Sequence, residues 1–192
     1  GESCISMDTN PSPKKNICTS RSFGVKVKDF QSLKESISSH AARCAEKLRL
    51  EKGCARYVSV VIKTNPFSGS DYYCGYKTSN FDVPTNDTLD IINAAESLLK
   101  SIYKEGLDYK KSGVIVGDII PQNKVQLNLF DIDEKRIKRK DLNRTIDIIN
   151  QIMGRSTVQI GSQGIAKNWQ LKREKLSPCY TTKWDDLLRI NC

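Results

Sequence analysis

The side chains that most often do chemistry in proteins are sparse in this sequence. Two pairs of nearby carboxylates, Asp131/Asp133 and Asp185/Asp186, could suggest a metal-assisted reaction. Two-metal phosphoryl transfer needs carboxylates that converge on two ions about 4 Å apart. Because neither pair ends a strongly apolar strand, we expect solvated acids and assign no catalytic residue.

Other catalytic and metal-binding groups are equally scarce. His40 is the only histidine, and no two of the seven cysteines form a CxxC pair. Zinc sites use such closely spaced ligands, and glycine-rich phosphate loops are missing from the sequence as well. We therefore predict no metal, no cofactor and no enzyme activity for this chain. The cysteines are expected to be reduced and structural, with Cys44 a small buried hydrophobe.

The charge balance favours a polyanionic partner. Lys and Arg number 31 and Asp and Glu 22, a net charge of +9 over 192 residues. No run of about 18 apolar residues predicts a membrane span, and the first residues carry no apolar signal core. The expected location is the cytoplasm.

Apolar periodicity places six elements between residues 20 and 120. Strands are predicted over 20–28, 55–64, 72–81 and 113–120, and helices over 29–51 and 87–106. The order strand, helix, strand, strand, helix, strand is that of a split βαβ fold. It predicts an α+β domain with a four-stranded sheet, both helices on one face and the other face open.

The helices show their apolar faces in the sequence. The first has a stripe at Leu33, Ile37, Ala41, Cys44 and Leu48. Asp29 is a candidate N-cap, Ser32 and Glu35 could form a capping box, and Gly53 is the expected stop. The predicted face of the second helix is Leu89, Ile92, Leu99 and Tyr103. In the first strand, Phe23, Val25 and Val27 are expected to face inwards.

Four lysines are predicted on the open face or its rim: Lys26, Lys28, Lys63 and Lys77. Such a surface suits a phosphate backbone, because Lys and Arg displace condensed counterions. The same lysines could instead only solvate an exposed sheet, and both interpretations are open at this point.

An RNA-recognition module has the same order of elements. It stacks bases on aromatic side chains of its third strand. Here that strand carries Tyr72, Tyr73 and Tyr76, without the ordered signature of such modules. A single-stranded nucleic-acid binding module is therefore the alternative function.

The pattern changes beyond residue 121. Residues 122–140 mix a short apolar patch with acidic and basic residues. Residues 141–154 predict an amphipathic helix through Leu142, Ile146, Ile149 and Met153, and 157–161 a short strand. The tail is basic and aromatic without periodicity.

Seven short stretches together resemble one family. They are SRSFG (20–24), HAARCAEKLR (40–49), IKTNPF (62–67), VPTNDT (83–88), YKKSGVIVGDI (109–119), QLNLFD (126–131) and SPCYTTKWDDL (177–187). In this order they are similar to the C-terminal half of the UmuC-type subunits of DNA polymerase V, in the Y-family of translesion DNA polymerases. The resemblance covers about residues 18–190.

The resemblance implies a domain organisation. Residues 1–18 would be a linker, 19–122 a little finger domain that grips DNA, 123–140 a connector, and 141–192 an α/β extension specific to UmuC proteins. The catalytic carboxylates and their Mg²⁺ would lie in a palm domain upstream. We therefore expect a non-catalytic part of an error-prone polymerase of SOS mutagenesis and DNA repair, acting at the bacterial nucleoid.

The resemblance and the charge pattern also imply contacts to the backbone of primer–template duplex DNA. These are Arg21, Ser22, Gly24, Lys26, Lys63, Thr64, Asn65, Lys110, Lys111, Ser112 and Gly113. Phosphate contacts position a protein without reading bases, as suits a polymerase that must hold damaged DNA of any sequence.

Residues Gln126, Leu127, Asn128, Leu129 and Phe130 have the QL-x-LF form of the bacterial clamp-binding peptide. The resemblance implies that they dock on the replication sliding clamp. Their place between a strand and a helix favours an exposed connector. A small strand that packs Val125, Leu127 and Leu129 against the sheet is the interpretation that the pattern alone favours, and the resemblance reverses that preference.

The family binds a processed UmuD dimer and RecA, and the extension is an implied docking surface. Trp169, Tyr180 and Trp184 are the candidate anchors, because aromatic residues dominate interface energetics. In the other interpretation these rings pack the small domain on itself.

Overall fold

The computed structural model describes residues 4, 12–67, 72–126, 133–171 and 176–187, with the backbone alone for 133–135. The main elements are β1 (Asn16–Val27), α1 (Phe30–Leu50), β2 (Gly53–Thr64), β3 (Cys74–Thr85), α2 (Thr88–Ile102), β4 (Tyr109–Pro121) and α3 (Asp133–Ile152). Single 3-10 turns follow at Gln122–Lys124, Gly161–Gln163 and Trp184–Asp186.

The four strands form one antiparallel sheet in the order β1-β4-β2-β3. Because β1 and β2 are both antiparallel to β4, they are parallel to each other, and α1 crosses between them. β3 and β4 are related in the same way across β2, with α2 as the crossover. Two split βαβ units thus place both helices on one face, which confirms the predicted α+β fold.

α1 forms where its apolar stripe predicted it, and all five stripe residues are fully buried. Asp29 caps the helix by accepting a 2.7 Å hydrogen bond from the Ser32 amide. The predicted capping box at Ser32 is therefore wrong, since Ser32 already lies inside the first turn. The predicted stop at Gly53 is wrong too, because the left-handed residue is Lys52, with φ +52°, and Gly53 begins β2.

The core lies between the helices and the sheet. Alternate residues of β2, Val58, Val60 and Ile62, are fully buried under α1 and α2. The buried face of α2 is Ile91, Ile92, Ala95, Leu98, Leu99 and Ile102, so only part of the predicted face is correct. Tyr103 lies just past the helix, where its ring stacks on Tyr109 at a centroid distance of 5.9 Å.

β1 loses its regular alternation towards its end. Its pairing with β4 shifts between Ser22 and Val27. Phe23 and Val27 are buried, but Val25 is 41% exposed. The prediction that Val25 faces inwards is wrong, because the extra residues on β1 break the period of two.

α3 begins at Asp133 and includes the last eight residues, 133–140, of the predicted connector. It packs on the ends of α1 and α2 through polar side chains. Arg49 donates to both carboxylate oxygens of Asp147, at 2.6 and 2.7 Å. Residues 157–160 are irregular, so the predicted strand at 157–161 does not form.

Candidate nucleic-acid interface

Sixteen register-paired residues of the sheet face away from the helices include no acidic side chain. The register brings four residues of each strand onto it: Asn16, Cys18, Ser20 and Ser22 of β1; Gly117, Ile115, Gly113 and Lys111 of β4; Tyr57, Ser59, Val61 and Lys63 of β2; Asn80, Thr78, Tyr76 and Cys74 of β3. We name these sixteen residues the open face. With no carboxylate on it, the open face does not repel a polyanion.

Two lysines face each other at one end of the open face. Lys63 and Lys111 are register partners on β2 and β4, and the Cβ atoms of such pairs lie about 4.5–5.5 Å apart. Like charges directly opposite destabilise a sheet, and neither lysine has an ion-pair partner among the described side chains. Ser22 is the partner of Lys111 on the other side. The arrangement suits a bound anion that offsets the repulsion.

A network of hydroxyl groups crosses β2 and β3 on the open face. The Tyr76 hydroxyl lies 3.1 Å from Ser59 Oγ, which lies 2.7 Å from Thr78 Oγ1. Hydrogen bonds with Ser59 and then with Thr78 lower the pKa of the Tyr76 phenol, and the residue is 58% exposed. Such a phenol can hydrogen-bond a phosphate oxygen, and its ring can stack on a base.

Two glycines keep the middle of the open face flat. A Cβ atom at Gly117 would lie 2.2 Å from the Tyr57 hydroxyl oxygen, because the Tyr57 side chain lies over this glycine. A Cβ atom at Gly113 would lie 2.6 Å from Ser20 Cβ. With no side chain rising from β4 at Gly113, another backbone can approach the sheet closely there.

The open face includes four of the predicted DNA contacts: Ser22, Lys63, Lys111 and Gly113. They stay predictions as DNA contacts. Asn65 follows β2, and its side-chain oxygen accepts a 3.2 Å hydrogen bond from the Phe67 amide.

Other predicted contacts have side chains that serve the fold. Ser112 is fully buried and hydrogen-bonded to Ser36. Lys110 Nζ donates to the Phe23 carbonyl oxygen at 2.9 Å. Because β4 is a central strand, the Ser112 amide lies within the ladder with β1 and β2, so it is directed along the sheet.

Thr64 and Lys26 are engaged in the same way. Thr64 Oγ1 accepts a 2.8 Å hydrogen bond from the Tyr73 amide and is nearly buried. Lys26 Nζ lies 2.9 Å from an Asp108 carboxylate oxygen, and its hydrogen bond is the main cause that lowers the pKa of Asp108. Thr64 could meet a phosphate only by leaving its present partner, whereas the exposed Lys26 ammonium has further N–H donors beside the one directed to Asp108.

A buried polar cluster lies on the helix side of β1. His40 is 4% exposed, and burial, reinforced by the Arg21 charge, lowers its pKa to about 4. The Trp169 ring meets the His40 and Phe23 rings edge-on, at centroid distances of 6.0 and 6.2 Å. The Trp169 carbonyl accepts a 3.3 Å hydrogen bond from the Gly24 amide. Arg21 and Gly24, both predicted DNA contacts, therefore border this cluster and not the open face.

Trp169 ties the C-terminal extension to the sheet domain and is itself 4% exposed. Because Trp169 is buried, it has no surface for a partner to contact, and its predicted docking role is wrong. No local sequence signal marks this contact, because it joins residues about 130–145 positions apart along the chain. Tyr180 and Trp184 are 44% and 88% exposed and remain candidate anchors.

The predicted clamp-binding segment is only partly described. Gln126 is exposed and follows the 3-10 turn after β4. Leu127, Asn128, Leu129 and Phe130 lie outside the described residues, so both interpretations of this segment stay open.

In the part of the chain that the structure describes, no group of three or more His, Cys, Asp or Glu residues could hold a metal ion. Cys44 is fully buried, as predicted, and burial raises the pKa of the Cys44 and Cys54 thiols to about 11. None of the described helices is long and apolar enough to cross a membrane.

The sequence that forms this fold matches a known family of domains. The model of the impB/mucB/samB family C-terminal domain matches residues 14–129, more than half of the chain. The chain therefore belongs to the impB/mucB/samB family. A domain of unknown function matches residues 140–190.

Curated relatives match almost the whole chain. Protein UmuC of Salmonella typhimurium strain LT2 is 40% identical over 191 residues, which are 99% of this chain and 45% of the relative. Protein SamB of Salmonella typhimurium is 42% identical over 188 residues, 97% of this chain and 44% of the relative. Protein MucB of Escherichia coli is 37% identical over 185 residues, 96% and 43%. The chain thus spans less than half the length of these relatives.

Solved structures show a weaker likeness. The complex of the beta-clamp processivity factor and the little finger domain of PolIV matches with a TM-score of 0.42 and 16% identity, over 60% of this chain and 99% of that chain. An insertion ternary complex of Dbh DNA polymerase matches with a TM-score of 0.39 and 15% identity, over 59% and 32%. At these scores the likeness carries no further argument.

Proposed function

We propose that this chain is the DNA-gripping and partner-docking part of an error-prone translesion DNA polymerase. The observation that carries the proposal is the facing pair Lys63 and Lys111 on the open face, whose sixteen residues include no acid. Membership of the impB/mucB/samB family supports it. Polymerase activity, with its carboxylates and Mg²⁺, is proposed for the remaining part of the longer protein.

A duplex phosphate backbone fits this face for a physical reason. A phosphate between the two ammonium groups replaces their repulsion with two attractions, and Ser22 can donate a hydrogen bond beside Lys111. Releasing condensed counterions favours binding of any sequence. A grip that reads no bases suits damaged DNA.

The test measures how binding of a labelled duplex depends on salt, for the chain and for Lys63→Ala/Lys111→Ala. Each lost phosphate contact should reduce the slope of log K against log salt by about 0.9. The double variant should therefore have a slope smaller by nearly two. The control is Lys47→Ala/Lys100→Ala, which removes the same charge from the helix side. If the steepness of the salt dependence fell equally in both double variants, the open face would have no role in binding.

Base stacking on single strands is the second candidate function, favoured by the exposed Tyr72 and Tyr76. Tyr73 does not belong to this set, because its hydroxyl donates to the Ile102 carbonyl at 2.6 Å beside α2. Stacking predicts tighter binding of single strands than of duplex, lost in Tyr76→Ala. Gripping predicts duplex binding at least as tight as single-strand binding.

Docking of Gln126–Phe130 on the replication sliding clamp is proposed from the QL-x-LF motif, with the exposed position of Gln126 in support. Leu129 and Phe130 would fill an apolar pocket on the clamp. Each buried anchor of this size contributes about 1.5–3 kcal/mol.

Leu129→Ala/Phe130→Ala should therefore weaken clamp binding by more than about a hundredfold, measured by titration of purified clamp. Leu50→Ala/Phe67→Ala removes two exposed apolar groups elsewhere and should leave the affinity unchanged. If circular dichroism shows the first variant unfolded, the segment is a packed strand instead.

Binding of a processed UmuD dimer and of RecA is proposed for the extension, with Tyr180 and Trp184 as anchors. Their exposure supports the proposal. Trp184→Ala should lower the affinity for purified, processed UmuD or for RecA filaments. Unchanged binding of both would remove Trp184 from the proposal.

A further inference from the structure

α3 packs with its polar side towards the domain. Arg139 and Asn143 each donate a 2.7 Å hydrogen bond to an aspartate at the start of α2. Asp147 accepts two bonds from Arg49. The three α3 residues are spaced by four, so they form one stripe along the helix. Asn143 is only 7% exposed, which shows that this stripe is the inner side.

The outer side of α3 is apolar. Four residues there, Ile137, Leu142, Ile148 and Ile152, are between 46% and 79% exposed, and Met153, directly after the helix, is 71% exposed. Leu142 and Ile149 are seven residues apart, as are Thr145 and Ile152, which is the spacing of the a and d positions of a helix-pairing seam. Rolling the helix to bury this side would break the polar stripe.

Cations lie within and beside the apolar side, since Lys138 is seven residues before Thr145 and shares its seam position. Lys138, Lys140 and Arg144 are exposed, whereas Asp141 is the one exposed acid among the described side chains of α3. No ion pair within the described residues neutralises these three cations. A ligand that covers the apolar side therefore gains by carrying negative charge at its edges.

We propose that the outer side of α3 binds an acidic amphipathic helix of a partner protein. The apolar residues of that helix would lie along Leu142, Ile149 and Ile152, and its carboxylates would meet the flanking cations. Exposed apolar residues clustered on one side of a helix, with charged residues beside them, mark such sites. A second copy of this chain fits less well, because it would bring the same cations together in a protein of net charge +9. The proposal does not depend on DNA binding.

The probe is a labelled three-heptad peptide with Leu at a and d and Glu at e and g, titrated with the full chain by fluorescence anisotropy. A matched peptide has Lys in place of Glu. The acidic peptide should bind at least about tenfold more tightly than the basic one. Ile148→Gln/Ile152→Gln should weaken its binding by at least about tenfold, and glutamine keeps the helix because its helix propensity is high.

The control is Val25→Gln/Phe67→Gln, which changes two exposed apolar residues that lie neither on α3 nor on the helices it packs on. It should bind the acidic peptide as the unmodified chain does. No binding of the acidic peptide, equal binding of both peptides, or full affinity in a folded Ile148→Gln/Ile152→Gln variant would overturn the proposal. A dimer seen by light scattering and abolished by the same substitutions would assign this side to a second copy, and would overturn it as well.

Discussion

His40 should make the folded protein lose stability in mildly acidic solution. Burial, with the Arg21 charge in second place, lowers its pKa from 6.5 to about 4. Between these two pH values the unfolded chain binds a proton that the folded protein does not. The contribution of His40 to stability is therefore complete above pH 6.5 and is lost as the pH falls towards 4.

The size of the loss follows from the shift. The difference between 6.5 and about 4 is about 2.5 pKa units, and each unit corresponds to about 1.4 kcal/mol, so the total is about 3 kcal/mol. Ser36 Oγ lies 3.5 Å from Nε2, and the Trp169 ring meets the imidazole edge-on.

The assay is urea unfolding of the chain and of His40→Gln at several pH values between 7 and about 4.5. The free energy of unfolding of the chain should fall more steeply with decreasing pH than that of the variant. Carboxylates with lowered pKa values, such as Asp108, contribute equally to both proteins and cancel in the difference. Parallel pH profiles, or an imidazole titration midpoint near 6.5 in the folded chain by NMR, would refute the reasoning.

Two further substitutions test how the extension is attached. Trp169→Ala should lower the free energy of unfolding in urea by about 3–5 kcal/mol, because it empties a buried site between the extension and the sheet domain; the exposed Trp184→Ala is the control, with an effect below about 0.5 kcal/mol. Arg49→Met should lower it by about 2 kcal/mol, because Asp147 loses both hydrogen bonds in a partly buried site. Unchanged stability and unchanged protease sensitivity of α3 in that variant would contradict the attachment described.

A helix or strand could be predicted from the sequence where a local pattern determined its position. α1 combines a regular apolar stripe with a cap at Asp29, so its position follows from the sequence. The inner side of α3 was predicted wrongly, because periodicity assumes that the apolar side of a helix faces inwards. Leu142 is 51% exposed and its neighbour Asn143 is buried, because the inner surface is set by Arg49 and two aspartates from distant elements.

The sequence predicted only four residues of the candidate site, Ser22, Lys63, Lys111 and Gly113, and it did not predict their geometry. The motifs pointed to Lys63, Lys110 and Lys111 alike. The register separates them, since Lys63 and Lys111 face each other on the open face and Lys110 donates to a carbonyl on the other side. Register depends on pairing between segments far apart in the chain, which periodicity does not contain.

The place of β4 in the sheet bears on how the chain folds. β4 pairs with β1 across a separation of 93 residues, from Ser20 to Gly113 (113 − 20 = 93). β1 and β2 do not pair with each other. Both pair with β4, so these two pairings cannot form until residues 109–121 have been synthesised. Of the three strand pairs, only β2 with β3 is local, and it can form first.

Such long-range pairing slows folding, because the entropy of closing a large loop is lost before the contacts form. Until β4 inserts, β1 and one edge of β2 carry unpaired backbone groups that can pair with other chains. Newly made chains should therefore aggregate most readily in the interval before the last strand arrives.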